Sequence, residues 1–248
     1  MKLPIAVQLY SVRDETEKNF AGTLRKVAGI GYKGVEFAGF GNLPAKEMKK
    51  ILADLDLVPV GSHTGADLLT GRLDEVIEYN LELGNKYIVC PWYKLESKED
   101  ILKASELFNG IGEKIRAKGL EFLYHNHNHE FKKYDGEYGL DLLYKGIKNG
   151  NMEAEFDTGW IMYAGENPAE YIKKYSGRCP LIHIKDFAST KKPEYTEVGN
   201  GLLNVKAIAA ASEKAGSKWL IVEQDECKGS SIESIRISFE NLKRMGLA

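Results

Sequence analysis

The sequence is poor in cysteine, and its three cysteines (Cys90, Cys179 and Cys227) are far apart and odd in number. No two of them have the close spacing of a structural zinc site, and a disulfide framework normally uses an even number of cysteines. A disulfide-stabilised secreted domain is therefore excluded. Because thiols persist in the reducing cytoplasm, we expect a cytoplasmic protein.

Long hydrophobic runs are also missing from the chain. The first apolar stretch starts after Lys2 and is already interrupted at Gln8. It is too short for the hydrophobic region of a signal peptide or for a membrane-spanning helix. We therefore expect no membrane association.

The chain carries no excess of charge, with 34 basic and 36 acidic side chains and a formal net charge of -2. Proteins that bind nucleic acids neutralise phosphates with Lys and Arg and usually show a basic patch. Nucleic acids and anionic membranes are therefore poor candidate partners, and we expect a small-molecule substrate. Assembly into a homo-oligomer stays open.

The chain lacks a Gly-x-Gly-x-x-Gly motif after its first strand, which removes the main support for a dinucleotide-binding sheet. Instead, short apolar stretches alternate with segments of helical spacing, without a linker or a low-complexity segment. This alternation indicates βαβ units and a parallel sheet. We predict strands at residues 5–10, 35–37, 58–62, 87–90, 120–125, 152–156, 180–184 and 219–223, and helices at 16–28, 44–55, 73–83, 98–118, 140–148, 168–175, 205–215 and 232–245.

These eight units predict an α/β fold of the (β/α)8 type, a single-domain TIM barrel that spans residues 1–248. Enzymes with this fold build their active site at the C-terminal ends of the strands. All five histidines lie at or just after predicted strand ends, and three of them share residues 125–130 with a glutamate. The histidines are His63, His125, His127, His129 and His183.

Three successive predicted strands end in possible metal ligands, namely Asp157, His183 and Glu223. Neighbouring strands lie about 5 Å apart, so these side chains can converge on one ion. Two carboxylates and an imidazole suit Mn2+, Mg2+, Co2+ or Zn2+. Each residue also has a structural alternative, because Asp157 could cap a helix, His183 could be a hydrogen-bonded barrel residue, and Glu223 could form an ion pair.

Six short motifs resemble the sugar phosphate isomerase/epimerase group of xylose isomerase-like barrels. They are QLYSVR at residues 8–13, GYKGVE at 31–36, YHNHNHEF at 124–131, FDTGW at 156–160, HIKD at 183–186 and VE at 222–223. The similarity spans the whole chain. It implies the barrel fold but not one reaction, because the group includes isomerases, epimerases, dehydratases and eliminases.

The resemblance implies a single divalent ion held by Glu, Asp, His and Glu. Asp157, His183 and Glu223 match the last three of these ligands. At the first position this chain has His125 where the group often has glutamate, and Glu130 lies five residues further on. We expect Glu130 to be the fourth ligand, with His125 as a substitute ligand or a substrate contact.

The resemblance also implies an isomerase or epimerase that abstracts a proton next to the carbonyl of a sugar, keto-sugar or polyol derivative. The ion would polarise the carbonyl and a neighbouring hydroxyl, and an enediolate would form. The expected catalytic residues are Glu223 as the base, Glu130 with the metal, and Lys185 and His127 as donors to the enediolate oxygen. The expected substrate contacts are Tyr10, His63, Trp92, His125 and Trp160.

Other functions stay open. Loss of a neighbouring hydroxyl would make the enzyme a dehydratase or eliminase for a keto-inositol or a 3-keto-glycoside. An endonuclease IV-like DNA-repair enzyme would need more His and Glu ligands and a basic groove, and a non-catalytic sugar-binding subunit would need no metal. Phosphate recognition is also open, because the amides of residues 199–201 could hold an anion or form a turn before a helix cap at Asn204.

Overall fold

A closed barrel of eight parallel strands forms the centre of the computed structural model, which describes residues 2–148 and 150–248. The sheet closes where Ile5–Gln8 pairs with both Gly34–Phe37 and Trp219–Val222, so the described barrel has no open strand edge. The predicted TIM barrel is confirmed. Its strands are β1 Ile5–Gln8, β2 Gly34–Phe37, β3 Val58–His63, β4 Tyr87–Cys90, β5 Glu121–His125, β6 Glu153–Asp157, β7 Leu181–Ile184 and β8 Trp219–Val222.

Helices connect the strands and pack their apolar faces on the outside of the barrel. The longer helices are Phe20–Ile30, Ala45–Asp54, Leu73–Leu83, Lys98–Ala117, Val205–Ala215 and Ser231–Arg244. The shorter ones are Arg13–Thr16, Ala66–Gly71, Gly139–Lys145, Thr158–Tyr163 and Pro168–Lys174.

The chain differs from the predicted helices at three places. The segment predicted as one helix at residues 16–28 is divided, because the Asn19 side chain accepts a hydrogen bond from the Gly22 amide (2.8 Å) and so starts a new helix at Phe20. The helices Ala66–Gly71 and Thr158–Tyr163, each of six residues, have no counterpart in the prediction. Six residues are too few for a helical period to stand out in the sequence.

The inside of the barrel has an apolar layer below and a polar layer above it. The apolar layer consists of Ala6, Val60, Tyr87, Val89, Leu123, Leu181 and Ile221. Because side chains alternate between the two faces of a strand, the residue two positions further on also points inward, but closer to the C-terminal end of the strand. The polar layer includes Gln8, His125, His183 and Glu223, which are buried and lie two positions beyond Ala6, Leu123, Leu181 and Ile221.

Two antiparallel ribbons follow β5 and β7. The first pairs Lys133–Tyr134 with Glu137–Tyr138, and the second pairs Asp186–Ser189 with Glu194–Thr196. They are the structured parts of the two long loops that the sequence predicts. Within the described residues, no helix combines the length and the apolar character that crossing a membrane requires.

Candidate metal centre and active site

A cavity of about 610 Å³ opens at the C-terminal ends of the barrel strands. Its position is the one expected for an active site in this fold. The lining residues come from several different strands and loops, and most are polar or aromatic. They are Tyr10, Arg13, Ala38, His63, Pro91, Trp92, His125, His127, Lys185, Tyr195, Glu223, Asp225 and Glu226.

Four buried side chains bring their ligand atoms within 4.8 Å of one another, and two of them, His125 and Glu223, line this cavity. The group is His125, Asp157, His183 and Glu223. Nδ1 of His183 lies 2.8 Å from Oε2 of Glu223, and Nε2 of His125 lies 3.7 Å from Oδ2 of Asp157. The structure thus brings together Asp157, His183 and Glu223, as the sequence predicts. The fourth member of the group is His125.

Asp157 has both roles that its position at the end of β6 suggests. Its Oδ1 accepts a hydrogen bond from the Trp160 amide (2.9 Å) and so caps the helix Thr158–Tyr163. Its Oδ2 is buried and accepts no hydrogen bond of suitable geometry from a described residue, and the Lys185 ammonium lies 3.0 Å from it. A buried carboxylate oxygen next to two imidazoles and a second carboxylate fits a divalent cation.

Glu130, the predicted fourth ligand, lies away from this group. Its carboxylate is fully buried and accepts hydrogen bonds from the Tyr124 hydroxyl (2.7 Å) and the His127 amide (2.9 Å). Tyr124 belongs to the apolar layer between strands and helices, whereas its neighbours Leu123 and His125 point into the barrel. Glu130 therefore folds onto the outer face of β5, where it holds the backbone of His127 in place.

Lys185 lies beside the group, with its ammonium almost fully buried. Its Nζ is 3.0 Å from Oδ2 of Asp157, 3.1 Å from Oε2 of Glu223 and 2.8 Å from Oδ1 of Asp225. Burial lowers the pKa of Lys185, but the three carboxylates outweigh it and leave the pKa well above its ordinary value. The side chain is therefore a fixed positive charge at neutral pH.

The two carboxylates of the group differ in their affinity for protons. Burial raises the pKa of Asp157 to about 6, and the nearby ammonium of Lys185 opposes this increase. Burial also acts on Glu223, but Lys185 and His183 more than compensate and hold its pKa well below the usual range. Glu223 is therefore ionised at neutral pH and is able to accept a proton.

The other histidines of the rim have different surroundings. His127 lines the cavity, and its buried Nδ1 has no hydrogen-bond partner among the described residues. Burial lowers its pKa to about 2, so the imidazole is neutral. His63 also lines the cavity, and its Nε2 lies 2.7 Å from Oε2 of Glu155. His129 is outside the cavity, where its Nε2 contacts the Tyr93 carbonyl oxygen at 3.1 Å.

Of the tyrosine and tryptophan side chains expected to contact the substrate, two line the cavity and one does not. Tyr10 and Trp92 line it and are 42% and 53% exposed. Trp160 is instead buried behind Lys185, with the ammonium 5.4 Å from its ring centre. Its short helix turns the ring away from the opening, so Trp160 supports Lys185.

Sequence reasoning missed two carboxylates below the group, Glu36 on β2 and Glu155 on β6. Both are fully buried. The signal was present for Glu36, which is the single charged residue of the apolar strand Gly34–Phe37, and was weaker for Glu155, which alternates with Glu153 and Asp157 along β6. A charge is buried in this way only when it is paired.

The amides of residues 199–201 form hydrogen bonds within the protein. The Asp186 carboxylate accepts hydrogen bonds from the amides of Gly199 and Gly201, each at 3.0 Å, and from that of Leu203 at 2.9 Å. Asn204 then caps the next helix through the Ala207 amide (3.1 Å). The segment is thus a turn before a helix cap, and its amides bind the carboxylate of Asp186 instead of an external anion.

Comparison with known proteins agrees with this fold. The family model described as xylose isomerase-like TIM barrel matches residues 24–245. An inosose dehydratase of Clostridium beijerinckii is 23% identical over 253 residues, covering 85% of this chain and 83% of that enzyme.

Solved structures resemble the whole chain. A sugar phosphate isomerase/epimerase of Parabacteroides distasonis superimposes with a TM-score of 0.86 at 24% identity, covering 98% of both chains. The IolI protein, solved with a bound zinc atom, gives a TM-score of 0.77 at 15% identity, covering 98% of this chain and 97% of that one. At these identities, the two structures support the fold alone.

Proposed function

Since the chain belongs to the xylose isomerase-like TIM barrel family, we propose that it is a divalent-metal-dependent isomerase or epimerase of a sugar, keto-sugar or polyol derivative. The observation that carries this proposal is the buried group of His125, Asp157, His183 and Glu223, two of which line an open cavity. Sugar isomerase/epimerase structures and inosose dehydratases among its relatives support the same class of small-molecule substrate.

We assign the metal to this group, with His125 in the position that Glu130 was expected to fill. A mixed set of oxygen and nitrogen ligands suits Mn2+, Mg2+, Co2+ or Zn2+, and the zinc atom in the related IolI structure supports an ion of this kind. When bound, the ion supplies Lewis acidity toward a carbonyl and the adjacent hydroxyl.

Glu223 is the proposed base. Its carboxylate lines the cavity and is ionised at neutral pH, so it can remove a proton from the carbon next to the substrate carbonyl. Lys185 lies within 3.1 Å of Glu223 and carries the fixed positive charge that stabilises the developing enediolate oxygen. His127 faces the same space as a neutral imidazole and provides a second polar contact.

The return of the proton decides the reaction. Delivery to the neighbouring carbon gives isomerisation, and delivery to the other face of the same carbon gives epimerisation. Elimination of a hydroxyl next to the deprotonated carbon would give a dehydratase, with a keto-inositol or a 3-keto-glycoside as substrate. The inosose dehydratases among the relatives favour this second candidate.

Incubation of the metal-loaded protein in D2O with keto-sugars, aldo-sugars, inositol ketones and 3-keto-glycosides tests the proposal. Deuterium uptake identifies the carbon that exchanges its proton, and mass spectrometry separates isomerisation from loss of water. We expect exchange to disappear in Glu223→Gln and to persist in Glu153→Gln, whose carboxylate pairs with Arg178 at the other end of a strand (3.0 Å). Absence of exchange with every compound, in protein shown to hold metal, rejects the proposal.

We also propose that the protein acts in the cytoplasm. Its three thiols are free, and two of them are buried, which fits a reducing compartment.

A further inference from the structure

Glu36 and Glu155 lie directly beneath the proposed metal ligands, and neither lines the cavity. Oε2 of Glu155 is 2.8 Å from Nδ1 of His125, and Oε2 of Glu36 is 2.6 Å from Nε2 of His183. These are hydrogen-bond lengths, and both carboxylates are fully buried. Each of the two imidazoles therefore has a carboxylate against one of its nitrogens.

The other nitrogen of each ring faces the proposed metal centre. Nε2 of His125 lies 3.7 Å from Oδ2 of Asp157, and Nδ1 of His183 lies 2.8 Å from Oε2 of Glu223. An imidazole that donates one N–H to a carboxylate presents the lone pair of its opposite nitrogen to a metal. The two rings use different nitrogens, yet both lone pairs then point to the same place.

We propose that Glu36 and Glu155 are positioning residues that hold the N–H of His183 on Nε2 and the N–H of His125 on Nδ1. They thereby present Nδ1 of His183 and Nε2 of His125 to the divalent ion. This inference rests on the metal centre of the proposed function. It explains why two carboxylates that touch no substrate are buried in the barrel.

Neighbouring residues hold both carboxylates in position. Glu36 also accepts a hydrogen bond from Nε2 of Gln8 (2.8 Å), and Nε2 of His63 lies 2.7 Å from Glu155 and 3.3 Å from Glu36. Gly61 leaves space for Glu36, because a Cβ at this position would lie 2.5 Å from its Oε1. These contacts fix both carboxylates beside the two imidazoles.

A second ion is the competing explanation, since His63, His125, Glu155 and His183 also have ligand atoms within 4.8 Å of one another. Two of these ligands are shared with the first group. A neutral imidazole offers one lone pair and therefore binds one ion. Oε2 of Glu155 lies within hydrogen-bond distance of His125 and His63, while its Oε1 has no partner among the described residues. Because the two shared imidazoles have one lone pair each, we favour the positioning role and expect a single ion.

Metal titration of the purified, chelator-treated protein tests the proposal. We expect the wild type to bind one equivalent of Co2+, and Glu155→Gln and Glu36→Gln to keep that stoichiometry with about 10- to 100-fold weaker affinity. The visible absorption of bound Co2+, which reports ligand geometry, should change in both variants. The matched control is Glu153→Gln, which changes a carboxylate on the same strand as Glu155 and should alter neither property.

The outcomes separate the two hypotheses. A wild type that binds no metal rejects the proposed function and this inference with it. One equivalent with unchanged affinity and spectrum in both variants overturns the positioning role alone. If the wild type binds two equivalents and Glu155→Gln loses one of them, the second metal site replaces the positioning role as the explanation.

A measurement on the wild type covers the case in which the variants do not fold. In zinc-loaded protein with isotope-labelled histidine, nitrogen NMR assigns the protonated ring nitrogen of each residue. We expect the proton on Nδ1 of His125 and on Nε2 of His183. The opposite assignment for either ring overturns the proposal for that ring's carboxylate.

Discussion

Among the described residues, Lys185 is the only lysine or arginine that contacts the carboxylates of the proposed metal group. Its replacement by methionine removes that positive charge. The ammonium contacts Asp157, Glu223 and Asp225 at 2.8–3.1 Å. At an effective dielectric constant of about 20, each contact corresponds to roughly 5 kcal/mol of attraction before the cost of desolvation. Breaking a buried ion pair by removing one partner costs a net amount of about 3–5 kcal/mol. We expect Lys185→Met to lower the free energy of unfolding by this amount in metal-free protein.

The loss of unfolding free energy in Lys185→Met should depend on pH. Lys185 lowers the pKa of Glu223, so its stabilising effect is present above the unfolded-state pKa of Glu223 and is lost as the pH falls through the lower folded-state value. Without the ammonium, the carboxylates take up protons more readily in the folded state. Lys185 also lowers the pKa of Asp157, which is about 6 in the wild type. The difference between variant and wild type should therefore be largest at neutral pH and above, begin to decrease as the pH falls through about 6, and disappear only below the folded-state pKa of Glu223.

Urea unfolding of the chelator-treated proteins at several pH values measures this difference. A saturating divalent ion should restore part of the stability, by about 2.7 kcal/mol at a concentration of 100 times Kd. The matched control is Lys174→Met, which removes a half-exposed lysine paired with Asp141 at 2.6 Å and should cost about 0–1 kcal/mol. A metal-free Lys185→Met protein within 1 kcal/mol of the wild type would refute this account of the buried charge.

Three further predictions concern the site and the thiols. His125→Ala should weaken metal binding at least tenfold. Glu130→Gln should keep the metal affinity and lower the free energy of unfolding by about 1–3 kcal/mol, because a buried donor loses its acceptor. Calorimetry measures the affinities and urea unfolding the stabilities, and the reverse order of affinities would restore Glu130 as the ligand. Trp92→Ala should raise KM several-fold with little change in kcat, because we propose that this exposed ring at the cavity contacts the substrate away from its reacting atoms. A large loss of kcat contradicts this. Burial raises the pKa of Cys90 to about 12, so this thiol should react with a disulfide reagent only after unfolding. The less buried Cys227 should react first in the native protein. Rapid reaction of Cys90 in the native protein would contradict its buried position.

Much of the barrel could be predicted from the sequence because its signals are local. The strand at Tyr87–Cys90 and the helices Leu73–Leu83 and Val205–Ala215 have the predicted bounds. The reason is that a short apolar run followed by an amphipathic segment, ended by a glycine with positive φ, specifies each unit without knowledge of its neighbours. Gly84 and Gly216 end those two helices in this way.

The residues at the strand ends are enough to predict that Asp157, His183 and Glu223 come together, because neighbouring strands of a parallel barrel carry their C-terminal residues to one rim. The direction of a side chain beyond the strand end is a different matter. Glu130 and His125 both belong to the histidine-rich segment, and only the turn after β5 decides that Glu130 faces Tyr124 and that His125 faces Asp157.

The sequence by itself determined the closed eight-stranded barrel, the end of the barrel at which polar side chains gather, and three members of the candidate metal group. Those features follow from the period of side chains along one strand and from the order of the strands. The tertiary structure decided which nitrogen of His125 and His183 faces the group, how Lys185 is shared among three carboxylates, and that Glu36 and Glu155 lie beneath them. These are contacts between residues up to 147 positions apart, such as Glu36 and His183, and they depend on distances that no local pattern encodes.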